Sequence, residues 1–232
     1  KGIQGQDPKY WQTAAVLKHF LANSNEDGKY SSDSAFDVRL MREYYSVPFR
    51  MSFVEGGARS YMAAYNAWKG VPMTVHPILR NVTVMEWGVD ALISTDAGGL
   101  GNLVSRHRRF PDLKTAAATA VKAGINMILP LRDDYMGALR GALADKLITE
   151  TDLDTALRGS LRTSIRLGLL DPPEVVPFSR LKTAPDPVLS QAHKSIALQV
   201  GREAIVLLKN TGNALPLDRR TMKSVAVIGP VG

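Results

Sequence analysis

From residue 14 onward, short apolar runs alternate with longer stretches of helical periodicity, and this alternation restricts the fold more than any other feature. Strand-like runs are read at Ala15–Ala22, Ser60–Ala67, Ala91–Thr95 and Asn126–Pro130. Val38–Phe49 and Leu113–Ala123 read as helices, the second with Leu113, Ala116, Ala117, Ala120 and Val121 on one face. Alternating β and α units predict a parallel sheet joined by helical crossovers. With 232 residues, 45% of them hydrophobic, the chain can bury a sizeable core.

Two further helices are predicted, Tyr135–Lys146 and a long one opening at Thr149-Glu150-Thr151-Asp152, a capping-box-like start. The latter carries Leu153, Leu157, Leu161 and Ile165 at i+4 intervals and ends at Gly168. Five of the 13 prolines fall between Pro172 and Pro187, marking residues 171–188 as an extended linker. Past it, Leu189–Arg202 reads as a helix, and Ala204–Lys209 and Ser224–Gly229 as strands. Residues 1–170 are thus expected to form one α/β domain, and 189–232 the beginning of a second.

Composition excludes several functional classes. There are no cysteines, so disulfides, thiolate nucleophiles and thiolate metal sites are ruled out. No apolar run approaches the roughly 18 residues of a membrane span. The formal charge of +7 raises the question of nucleic acid. Its densest cluster, Arg106-His107-Arg108-Arg109, lacks interleaved aromatics and reads as a solvated loop. Asp133-Asp134 has no further ligand at a diagnostic spacing, so no metal site is expected. "VIGPVG" is not a dinucleotide fingerprint, and no cofactor is expected.

The stretch "VDALISTDAGG" places Asp96 where a buried strand gives way to a glycine turn. In barrels and open sheets that end of a strand is where chemistry is placed. The bland alternative is a helix cap or an Asx turn. Lys18 and His19 are neighbours on a strand, and both can reach one site only if the strand ends or bulges there. Taken alone, His19 reads as a structural histidine, Met62 as core packing and Tyr65 as a half-buried aromatic.

Read in order, "VLKHFLANSNE", "RLMREYYSVPF", "YMAAYNAWKGVP", "WGVDALISTD" and "TAVKAGINMIL" resemble glycoside hydrolase family 3. "GREAIVLLKNTGNALPL" followed by "SVAVIGP" is similar to the opening of that family's second domain. The resemblance implies the C-terminal portion of a (β/α)8 TIM-type barrel, then a linker and the first elements of an α/β sandwich. It implies a retaining exo-acting β-glycosidase, with a small carbohydrate as partner. Asp96 takes the place of the nucleophile, Lys18 and His19 hold sugar hydroxyls, and Met62 and Tyr65 line the glycone subsite.

Retaining hydrolysis needs two carboxyl groups about 5–5.5 Å apart. Only about four of the eight barrel strands are read, which leaves open edges, and on the family pattern the acid/base lies beyond these residues. The 232-residue polypeptide by itself is therefore expected to be marginally stable, prone to associate and essentially inactive on unactivated disaccharides. Ala97 stands where many members carry a larger residue, and "KHFLANSNE" lacks the "KHFPGHG" form of the N-acetylglucosaminidases. These departures favour a β-glucosidase or β-xylosidase over a hexosaminidase. A non-catalytic carbohydrate-binding relative is the rival from another class. A periplasmic or secreted location is favoured over the cytoplasm.

Overall fold

The computed structural model describes residues 2–180, 188–226, 228 and 229. The chain divides into two compact units, Lys1–Arg180 and Leu181–Gly232. In the first, the strands are β1 (Val16–Phe20), β2 (Asp33–Ser34), β3 (Ser60–Ala63), β4 (Ala67–Trp68), β5 (Val71–Pro72) and β6 (Leu92–Ser94). The α-helices are α1 (Val38–Leu40), α2 (Val47–Val54), α3 (Ile78–Arg80), α4 (Gly99–Ser105), α5 (Leu113–Ala123), α6 (Asp133–Ala144) and α7 (Glu150–Arg166). Wide π turns at Met41–Tyr45 and Asn81–Glu86 extend α1 and α3.

The main sheet has the order β1-β3-β6 and is parallel throughout. Its helix-facing side is aromatic. Phe20 meets Phe49 at 5.0 Å and Tyr61 at 5.3 Å between ring centroids, and Tyr61 meets Phe53 at 5.4 Å, all edge to face. Tyr61 is fully buried, and its hydroxyl donates to the Leu79 carbonyl at 2.9 Å, so its polar atom is not orphaned. A small second sheet, β2-β4-β5, forms within the segments that follow β1 and β3.

The expected fourth strand, Asn126–Pro130, is reduced to a single bridge between Met127 and Ser94. Main-chain bonds remain, Met127 N donating to the Ile93 carbonyl at 3.2 Å and Thr95 N to the Met127 carbonyl at 2.9 Å, and the Asn126 side chain adds to them. Its Oδ1 accepts from Ile93 N at 2.9 Å and its Nδ2 donates to the Ala91 carbonyl at 3.0 Å, satisfying the edge of β6. Ser60–Ala67 likewise splits, with β3 ending at Ala63 and β4 starting at Ala67.

Helix α5 has the predicted bounds, set by the Asp112 side chain accepting from Thr115 N and by Gly124 at φ 113°. Thr149 and Asp152 form the capping box of α7. Of the leucine stripe of that helix, Leu153 packs against the core and the rest does not. Leu157, Leu161 and Ile165 are exposed, and Ala156, Gly159 and Thr163 are buried instead. The cause is close approach to β6, since a methyl group on Gly159 would overlap the Ala91 carbonyl oxygen. Gly159→Ala is therefore expected to lower stability by about 2 kcal/mol, overpacking outweighing the gain in helix propensity. Urea unfolding followed by fluorescence checks this; an unchanged midpoint would mean that α7 does not sit this close.

In the second unit, Gln191–Glu203 forms α8, capped by Ser190. Ala204–Lys209 is not a strand, because no other segment pairs with it among the described residues, and Ile205 to Leu208 are exposed. The described residues of Ser224–Gly229 also form no strand, and Val227 lies outside the described residues. Of the proline-rich linker, residues 181–187 lie outside them as well.

Candidate active site

Parallel pairing brings the C-terminal ends of β1, β3 and β6 to one side of the sheet, and with them His19, Met62, Tyr65 and Asp96. In β1 the pairing jumps from Leu17↔Tyr61 to Phe20↔Ala63, so three steps along β1 oppose two along β3. This bulge falls on Lys18 and His19, and both line one open hollow of about 570 Å³ with Asn23, Glu43, Tyr44 and Phe49.

Asp96 does not cap the helix that follows it. Helix α4 is capped by Gly98, whose φ of 74° makes the turn, with no side-chain hydrogen bond. One carboxylate oxygen of Asp96 accepts from Ala97 N at 2.7 Å. The other stands 3.1 Å from His19 Nε2, with the two side chains 14% and 24% exposed.

A carboxylate can only accept, so His19 carries a proton on Nε2. Burial lowers the His19 pKa, outweighing the opposing pull of Asp96, so the ring is neutral near pH 7 and its Nδ1 is an acceptor. Asn23 Nδ2 lies 3.5 Å from that nitrogen as the donor. A neutral imidazole thus orients the carboxylate without neutralising its charge.

Tyr65 closes another side. Its hydroxyl donates to the Ala97 carbonyl at 2.7 Å, and burial, with the charge of Asp96 second, pushes its pKa up to about 12. Met62 lies opposite Ser94 in the β3–β6 register, two residues before Asp96. Lys18 is exposed and makes no ion pair with Asp96; the ionisable side chain that pairs with Asp96 is His19.

Sequence reasoning missed several neighbours. Tyr30 packs edge-on to Tyr65 with centroids 4.8 Å apart. Lys29 bonds Glu26 at 2.6 Å, which raises its pKa, and Asp96 adds to the shift. His107, in the segment read as a solvated basic loop, is half-buried and contacts the Tyr65 carbonyl. Asp134 of the acidic pair bonds Arg132 at 3.0 Å. Asn23 and Tyr30 lie four and eleven residues past His19 on the loop that leaves the bulge, a placement the sequence suggests only once the bulge is known.

The end of β6 thus carries an oriented carboxylate, with the His19 imidazole 3.1 Å from it and the Tyr65 phenol bonded to the neighbouring Ala97 carbonyl. A sequence model described as "Glycosyl hydrolase family 3 N terminal domain" matches residues 1–162. The chain belongs to this family, and its first unit has the α/β fold of that N-terminal domain. A probable beta-D-xylosidase of Arabidopsis thaliana is 31% identical over 99% of this chain and 31% of its own length. A periplasmic beta-glucosidase of Salmonella typhimurium is 30% identical over 100% of this chain and 30% of its own.

Among solved structures, an exo-beta-xylosidase of the family in complex with a xylobiose aziridine probe superposes with a TM-score of 0.82 at 26% identity. That match covers 94% of this chain and 28% of the other. A beta-glucosidase from Listeria innocua in complex with glucose gives 0.76 at 26% identity, over 88% and 28%. The chain spans about a third of the length of the curated relatives it matches.

Proposed function

We propose that this chain is the nucleophile-bearing part of a retaining, exo-acting β-glycosidase, a β-glucosidase in the first instance, that releases terminal sugars from short β-linked oligosaccharides or aryl glycosides. The observation that carries this is Asp96. Its carboxylate is committed to no cap, is oriented by Ala97 N–H and His19, and stands at the C-terminal end of a parallel strand.

In this reading an Asp96 oxygen attacks the anomeric carbon as the bond to the leaving oxygen breaks, and an acid/base carboxyl from outside these residues protonates the departing group. Water then attacks the same carbon, gives its proton to that base, and returns Asp96 to the carboxylate. Glu43, which lines the hollow with His19, is held by Arg39 at 2.9 Å, and Glu26 is held by Lys29 at 2.6 Å. Lys18, His19, Met62 and Tyr65 line the glycone subsite. Asn23 Oδ1, buried with no partner among the described residues, is an acceptor for a sugar hydroxyl.

The strands β1, β3 and β6 with the Met127 segment are read as the C-terminal portion of a (β/α)8 barrel spanning residues 1–170. The outer edges of β1 and the Met127 segment have no strand partner among the described residues, which supports that reading. Residues 171–188 are the linker and 189–232 open an α/β sandwich domain. A periplasmic or extracellular location follows the relative named as periplasmic. β-Xylosidase is the second reading, favoured by the relatives named as such.

The test is covalent trapping with 2,4-dinitrophenyl 2-deoxy-2-fluoro-β-glucoside and its xylose counterpart, whose leaving group departs without protonation. Digestion and mass spectrometry are expected to place the sugar ester on Asp96, and the faster reagent names the sugar. An ester on a different carboxylate, or labelling by neither reagent, rejects the proposal.

A further inference from the structure

Tyr65 is tethered at both ends to the segment that carries Asp96. Its hydroxyl donates to the Ala97 carbonyl at 2.7 Å, and its own backbone carbonyl lies 2.8 Å from His107 Nε2. A carbonyl can only accept, so His107 is the donor and its proton sits on Nε2. Ala97 N in turn holds Asp96, so the two loops are joined side by side at the carboxylate.

The position of His107 is set by α4. Its backbone N donates to the Asn102 carbonyl at 2.8 Å, and Arg109 N donates to Leu103 O at 2.9 Å, winding the chain onto the end of that helix. Helix α4 leaves the Asp96 turn at Gly98 and reaches His107 two residues after Ser105, a span of about 10 Å. One short helix therefore presents the carboxylate at its start and the clamp on Tyr65 at its end. Arg106, Arg108 and Arg109 are exposed, and His107 alone of the four turns inward.

We propose that His107 is a positioning residue: it fixes the loop after β3 so that the Tyr65 phenol stays beside Asp96. It touches no substrate and acts through Tyr65. The Tyr30 ring packs edge-on against Tyr65, and loss of the His107 donor loosens the loop that carries the phenol while the core, built on Tyr61 and Phe53, is undisturbed. The kinetic consequence rests on the reading of Asp96 as nucleophile; the structural consequence does not.

Two readouts separate the two. With ring-labelled tyrosine, the Tyr65 signal, assigned by its loss in Tyr65→Phe, is expected to shift on Asp96→Asn when His107 is present. In His107→Phe and His107→Ala, neither of which can donate, that response is expected to vanish. It is expected to persist in His107→Gln, whose amide nitrogen reaches the Nε2 position. A Tyr65 response that survives in both donor-less variants overturns the inference.

In the enzyme, with Asp96 kept, the donor-less variants are expected to lower kcat/KM about tenfold, the loss of one hydrogen bond's worth of positioning. His107→Gln should restore most of it, and in a Tyr65→Ala background His107→Phe should cost almost nothing. An undiminished penalty in that background overturns the inference. Absence of any glycoside cleavage by the unmodified enzyme would instead reject the glycosidase reading, and the tyrosine signal would still decide the role of His107.

Discussion

Replacing Asp96 with alanine is expected to lower turnover of an aryl β-glucoside by the intact enzyme on the order of 10⁴-fold or more, because the covalent route is removed and not merely slowed. The fold should survive. The carboxylate accepts from Ala97 N and pairs with His19, while the turn into α4 is made by Gly98. The loss is therefore that of ordinary hydrogen bonds, on the order of 1 kcal/mol. Added azide should enter from the face that the carboxylate vacates and yield the inverted glycosyl azide. Initial rates with and without azide, and the configuration of the product, check this. An Asp96→Ala enzyme working near the parent rate would remove the nucleophile assignment.

The second large effect is on stability in acid. His76 is 8% exposed, its ring stacks on Trp68 at 5.2 Å, and its Nδ1 accepts from Ile78 N at 3.2 Å. Burial lowers its pKa to about 4, against 6.5 when unfolded. Above pH 6.5 both states are neutral. Between 6.5 and about 4 the unfolded chain takes up the proton and the folded one does not, so stability falls as pH falls through that window. The gap corresponds to roughly 3 kcal/mol, and below it no more is lost from this group. His19, also lowered by burial, adds in the same direction.

His76→Gln keeps an acceptor but does not titrate. Its urea-unfolding free energy should drop less than that of the parent between pH 7 and pH 4, by roughly 3 kcal/mol. Trp11, Trp68 and Trp87, the chain's three tryptophans, all lie in the first unit and report its unfolding. Equal drops in parent and variant would show that His76 is not held neutral.

Local interactions explain what could be read from the sequence alone. Helix α5 has its predicted limits because Asp112 and Gly124, one residue beyond each end, fix where hydrogen bonding starts and stops. The capping box of α7 is likewise complete within four residues. Asp96 could be placed at the end of a strand because an apolar run followed by glycines has few other uses. The family could be named because five short motifs keep their order along the chain.

What the tertiary structure decided depends on groups far apart in sequence. The leucines of α7 have the spacing of a core stripe, yet the sheet lies against Gly159, because at that position no side chain separates the helix from the Ala91 carbonyl. Residues 126–130 have the composition of a strand, yet they meet β6 in a single bridge, where the Asn126 amide bonds Ile93 and Ala91 beside a few main-chain bonds. Ala204–Lys209 has that composition too, and without a partner strand among the described residues its backbone forms none. His19 and Asp96 meet because a bulge in β1 turns two adjacent residues toward one hollow. Composition and periodicity specify which residues prefer to be buried or paired; which partner arrives, and at what distance, is set by packing across the whole unit.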